Sequence, residues 1–271
     1  MDYKFTISFI CGGGYEYFHK ILENNIHVLC DNTNESYDLV LFLDGFENYD
    51  CEPYIKLAQK HHFNEIVLRS RKSNCATGDP ANNAHIHTFS TKTQYLLTFE
   101  SDVAIFKTKQ DVDILQEIRK LFEANENICL LTKIDDYDCW KEKLVFKPRD
   151  LCNGVHSVNR VSSHFLIYET FRCEKIIKNN SFCLNQFYDS ETEWYNYEDM
   201  ISRLFSEPNG PGIGFCHSLP IKVFHCDEKI DTKSAFYTKD VSTKLKVFEK
   251  RKCDILNSED SCFSRSENKN D

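Results

Sequence analysis

Two carboxylates one residue apart, Glu100 and Asp102 in Glu100-Ser101-Asp102, sit between the apolar stretches Tyr95-Leu96-Leu97 and Val103-Ala104-Ile105-Phe106. Charged side chains rarely enter such a setting without a partner. Residues i and i+2 of a strand face the same side, so the pair would converge on a hard cation while Ser101 turns away. Mg²⁺ or Mn²⁺ takes carboxylate, water and phosphate oxygens, and a cation held there would neutralise a departing diphosphate. The competing reading is a polar strand end with two solvated acids.

Other groups give weaker signals. Arg69, Arg71 and Lys72 form a basic cluster suited to phosphates or to a solvated loop. Gly12-Gly13-Gly14 would let a backbone approach a ligand, but it lacks the full GxGxxG spacing, and a flexible turn explains it equally. The 13 cysteines fit no paired CxxC pattern, and the nearest grouping, Cys216 to Cys226 with His217 and His225, is a faint zinc hint.

The elements that must position these residues follow from hydrophobic period. Phe5 to Cys11 and Asp38 to Asp44 are β-rich apolar runs, the second nearly continuous, as in a parallel sheet buried on both faces. Glu65 to Arg69 is a third strand, and Gln94 to Phe106 a fourth, interrupted by the acidic triplet. Helical spacing follows the glycines (Phe18, Ile21, Leu22), covers Pro53 to His61, and recurs at Val112 to Ala124 and Glu198 to Phe205. Pro208 to Gly214 is a break. The alternation predicts an α/β chain of doubly wound type, with ligands at the carboxyl ends of its strands.

Lys and Arg number 33 against 42 Asp and Glu, a formal charge of -9, which argues against a nucleic-acid partner. No apolar run approaches the ~20 residues of a membrane span. The first residues lack the apolar core of a signal peptide, and the expectation is a cytoplasmic protein with reduced thiols. One domain is expected over residues 1–256, with 257–271, rich in Ser, Glu, Asn and Lys, as a disordered tail.

Three segments in order resemble family 2-like glycosyltransferases. The first runs from Asn82-Asn83-Ala84-His85 to Glu100-Ser101-Asp102, a polar loop, a helix and a strand ending in a DxD-type motif, with Glu in place of the first Asp. The second is Trp194-Tyr195-Asn196-Tyr197-Glu198-Asp199 with the helix behind it, and the third is Gly210 to Gly214, Pro220 and the strand closing at His225. The resemblance covers roughly Lys4 to Asp227 and implies a GT-A type, Rossmann-like fold, a mixed and mainly parallel sheet flanked by helices. It further implies a nucleotide-sugar donor with UDP foremost, a hydroxyl-bearing acceptor, and Mn²⁺ or Mg²⁺ held by Asp102 and His225. Asp199 takes the place of the general base of an inverting transfer; the alternative is an acid favoured by a helix N-terminus. The nucleotide is expected near Cys11, Asp44 and Arg69, with Glu100 toward the sugar or ribose. For His225 a structural role stands as the alternative. At the level of function, the rivals are a nucleotidyltransferase on a similar sheet and a non-catalytic relative that binds a sugar or a partner.

Overall fold

The computed structural model describes residues 4–12, 18–44, 50–69, 92–135, 146–150, 152–161, 164–179, 201–202, 204–206, 212–226 and 241–256. The first half winds as expected. Strand β1 (Phe5–Gly12) leads to helix α1 (His19–Cys30), β2 (Tyr37–Asp44), α2 (Glu52–Lys60) and β3 (Glu65–Arg69), with β1 parallel to β2 and β2 to β3. The chain then returns to the other side of β1 as β4 (Tyr95–Glu100), parallel to it. The strand order therefore reverses between β1 and β4, the place where open α/β sheets leave a crevice for ligands.

The second half supplies β5 (Val103–Lys107), α3 (Ile114–Ala124), β6 (Ile128–Thr132), β7 (Phe146–Asp150), a 3-10 turn at Cys152–Gly154, β8 (Val155–Val158), β9 (Phe165–Glu169), α4 (Thr170–Asn179), β10 (Gly212–Cys216), β11 (Ile221–His225) and α5 (Val241–Leu256). Nine strands make one sheet in the order β3-β2-β1-β4-β9-β6-β10-β8-β7, in which β9 and β8 run against the others. The sheet is thus mixed and mainly parallel. Among the described residues, no helix is long and apolar enough to cross a membrane.

Two cores lie on the two sheet faces. Phe5, Ile7, Phe9 and Cys11 of β1 alternate toward a core shared with Leu39, Leu41 and Leu43 of β2 and with the apolar faces of α1, α2 and α3. Aromatic rings cross the strands within it: Phe9 stacks on Phe99 with centroids 5.5 Å apart, and Phe99 meets Phe165 at 4.8 Å. The opposite face, with Leu96, Leu130, Leu166, Tyr168 and Cys173, forms the second core. Burial on both faces is why these strands read as apolar runs.

Two expectations need correction. Gln94 to Phe106 is not one interrupted strand. The chain turns at Ser101 and Asp102, and β5 leaves the main sheet to pair antiparallel with β11 in a separate two-stranded sheet. Glu100 and Asp102 consequently do not share a strand face. The Gly-rich break at Pro208 to Gly214 likewise gives way to strand at Gly212, where β10 begins. Its glycines answer to packing: a Cβ on Gly214 would come within 2.6 Å of Val155 Cγ1 and 2.8 Å of Leu131 Cδ2, so only glycine lets the flanking strands approach.

A two-stranded sheet has two open edges, and each is closed by groups from outside it. On β5, the buried amide of Asn25 donates to the Val103 carbonyl at 2.7 Å and accepts from the Ile105 N–H at 3.0 Å, while Asn24 Nδ2 donates to the Ile105 carbonyl at 2.8 Å. The α1 amides stand in for a neighbouring strand. Replacing Asn25 with Ala strands a buried donor and a buried acceptor, and is expected to cost at least ~2 kcal/mol, since each orphaned group costs ~1–3 kcal/mol. Urea unfolding of Asn25→Ala measures it, and a loss below ~0.5 kcal/mol would refute the assignment.

Candidate functional site

Strand register lines up the expected donor residues at the carboxyl edge of the sheet. Gly12 pairs with Asp44, and Asp44 with Arg69, so one row crosses the ends of β1, β2 and β3. On the other side of β1, Ile10 pairs with Glu100 at the end of β4. The side chains of Asp44 and Arg69 lie outside the described residues, so register alone places them. Cys11, one residue before the row, is fully buried, and its thiol belongs to the core. Burial, and then the nearby Asp102 carboxylate, push that thiol well above its ordinary range, so it stays protonated at neutral pH.

Asp102 occupies the turn directly after β4 and is 9% exposed. Its main chain is clasped from the far end of the sequence. In the β5–β11 pairing His225 stands opposite Val103, and the next N–H, that of Cys226, donates to the Asp102 carbonyl at 2.7 Å. The backbones of Asp102 and His225 are thereby neighbours. The His225 side chain is outside the described residues, as is the whole of Asp199.

Residues that sequence reasoning passed over shape this place. His164, just before β9, accepts the Glu100 N–H on its carbonyl at 3.4 Å, and its Nε2 lies 3.7 Å from Glu100 Oε2. Asp135, beyond β6, grips the outer edge of β11. It accepts the Val223 N–H on Oδ2 at 2.7 Å and donates its own N–H to the Val223 carbonyl at 2.7 Å. Lys133 and Lys222 each hold Nζ 3.6 Å from Asp135 Oδ1, and Lys133 is only 3% exposed. An acid after an apolar strand carries no sequence signal for this, because the partner of Asp135 is remote in the chain.

Of the faint zinc grouping Cys216, His217, His225 and Cys226, the structure describes the Cys216 thiol, while the His225 side chain lies outside the described residues. That thiol is buried, lies 3.4 Å from the Thr132 carbonyl as donor, and burial pushes it up to about 12. Among the described residues one group of three side chains has metal-ligating atoms within 4.8 Å of one another, Glu23 and His27 of α1 and His61 at the end of α2, none of them an expected site residue.

No protein-family model and no curated protein sequence matches the chain. Solved structures do. Residues 1–349 of S. aureus TarS in complex with UDP-GlcNAc match at 14% identity and a TM-score of 0.51, over 94% of this chain and 67% of that one. A mannosyltransferase from Pyrobaculum calidifontis in complex with GDP-Man and Mn²⁺ matches at 8% identity and 0.49, over 86% and 59%. A UDP-glucose pyrophosphorylase complexed with UDP-glucose matches at 10% identity and 0.50, over 93% and 99%. The first and the last of these show the fold, a GT-A-like glycosyltransferase fold.

Removing the Asp135 carboxylate orphans the Val223 N–H and leaves the buried Lys133 without its counter-charge. Asp135→Ala is expected to cost ~1–3 kcal/mol in denaturant unfolding. Asp135→Asn keeps an acceptor and should lose less. Equal losses in the two variants would show that the charge contributes nothing.

Proposed function

We propose that this chain is an inverting, metal-assisted glycosyltransferase that moves a sugar from a nucleoside-diphosphate sugar, UDP foremost, to a hydroxyl acceptor. The observation that carries the reading is the clasp between Asp102 and β11. It sets a buried carboxylate at the topological switch point and brings the backbone of His225 beside it. An anionic oxygen donor, mostly shielded from water, fits Mg²⁺ or Mn²⁺, and an imidazole would complete the ligand set. Bound there, such a cation would offset the charge that gathers on the leaving diphosphate.

The chain's own groups do the rest. The Gly12–Asp44–Arg69 row offers main chain, carboxylate and guanidinium to the nucleotide, with Cys11 contributing backbone only, because its thiol is committed to the core. Glu100, held by His164, faces the sugar or ribose. The Asp199 carboxylate takes the proton as the acceptor oxygen attacks the anomeric carbon. The bond from that carbon to the diphosphate oxygen breaks, and the nucleoside diphosphate departs with its electron pair. The likeness to a pyrophosphorylase over 99% of that chain keeps a nucleotidyltransferase as the second reading. Gly12-Gly13-Gly14-Tyr15-Glu16 lacks the basic residues such a loop carries. UDP release from a UDP-sugar supports the transferase, pyrophosphate release the second reading, and binding without either a non-catalytic relative.

If Asp102 and His225 serve one ion, Asp102→Ala and His225→Ala will each weaken Mn²⁺-dependent nucleotide binding, and the double variant will lose less than the sum. Additive losses in calorimetry would separate the two residues. Asp199→Asn is expected to lower kcat by ~10²–10⁴ with donor affinity kept. Normal turnover with weakened donor binding would remove Asp199 from the role of base.

A further inference from the structure

Glu23 and His27 are four residues apart on α1 and so share one helix face. His61 stands at the C-terminal cap of α2, and its ring meets that of His27 edge-on, with centroids 5.4 Å apart. One donor atom from each of the three falls within 4.8 Å of the others. A tetrahedral ion with bonds of ~2.0–2.1 Å holds its ligand atoms ~3.4 Å apart, so binding would draw the three side chains closer together.

Two observations go beyond proximity. His61 Nε2 is buried and has no hydrogen-bond partner among the described residues; its approach to Glu23 Oε1, 3.8 Å, is too long for one. His27 Nδ1 lies 3.1 Å from both carboxylate oxygens of Asp31, which leaves its Nε2 for a ligand. A carboxylate behind one ring nitrogen is the arrangement that orients metal-binding imidazoles. The existing tenant of Glu23 is Lys60, with Nζ 2.5 Å from Oε1. That ammonium is on an exposed side chain, so an ion taking the carboxylate releases it to water at little cost.

We propose that Glu23, His27 and His61 form a second metal site, for a divalent transition ion of the zinc class with water in the remaining position, and that the ion fastens α1 to α2. Two imidazoles and one carboxylate select Zn²⁺, Co²⁺ or Ni²⁺ over the Mg²⁺ or Mn²⁺ suited to Asp102. The site shares no residue with the proposed transfer centre and stands whether or not that function does.

Co²⁺ titrated into the full chain is the probe, because its absorption separates imidazole and carboxylate ligation from thiolate ligation by the 13 cysteines. The expected result is visible absorption without a sulfur charge-transfer band. Affinity should fall at least tenfold in His27→Ala and in His61→Ala, fall ~10–100-fold in Asp31→Asn, and hold in Asp102→Ala. Zn²⁺ should raise the Tm of the wild type and leave that of His27→Ala unmoved. His27 is at the surface, so its variant keeps the test valid should His61→Ala fail to fold. Unchanged Co²⁺ affinity in His27→Ala and Glu23→Gln, or a spectrum dominated by sulfur, overturns the proposal.

Discussion

Everything at the Asp102 turn depends on satisfying the backbone of a two-stranded sheet that has left its parent sheet. Strands β5 and β11 pair with each other and expose an outer edge each, and unpaired N–H and C=O groups cannot stay buried. Asn25 closes one edge and Asp135 the other. An amide and a carboxylate, each with acceptor capacity and fixed by its own element, do what a third and a fourth strand would otherwise have to do. The register they hold is the one that sets His225 opposite Val103 and the Cys226 N–H on Asp102. The geometry of the turn is therefore a consequence of edge chemistry beside it, at Val103, Ile105 and Val223.

Legibility in the sequence tracks the range of the forces involved. Phe5 to Cys11, Asp38 to Asp44 and Glu65 to Arg69 were readable as strands, and the structure has them at Phe5–Gly12, Tyr37–Asp44 and Glu65–Arg69, because burial on two faces writes an apolar run into each. Helix α3 was readable from its amphipathic spacing, and the structure adds that Asp113 caps it through the Gln116 N–H. The departure of β5 was not readable. Val103 to Phe106 are buried in either sheet, so composition alone does not tell a strand that continues from one that turns away. The glycines of β10 misled for a related reason: they were read as part of a break, whereas Gly214 is small because Val155 and Leu131 press on it.

The site divides along the same line. The acids and the closing histidine proposed for it come from residue type and order, as the groups that a cation and a diphosphate would call for. The residues that shape the Asp102 turn, Asn25, Asp135 and His164, act on partners far along the chain. A lone Asn on the inward face of a helix reads as a flaw in the apolar stripe until its partner strand is known. Glu23, His27 and His61 escaped for the same reason, because only two of the three share a helix.

The long span between β5 and β11 also bears on the order in which a growing chain can fold. When Val103–Lys107 emerges during synthesis, α1 already exists, and Asn25 can cover one edge at once. The other edge waits for Ile221–His225. Through that interval an apolar strand presents open hydrogen-bonding groups, the kind of surface that recruits stray strands from other molecules. Nascent chains of this protein thus pass through a window of adhesiveness that shuts when β11 docks, and a ribosome stalled before residue 221 would leave that window open.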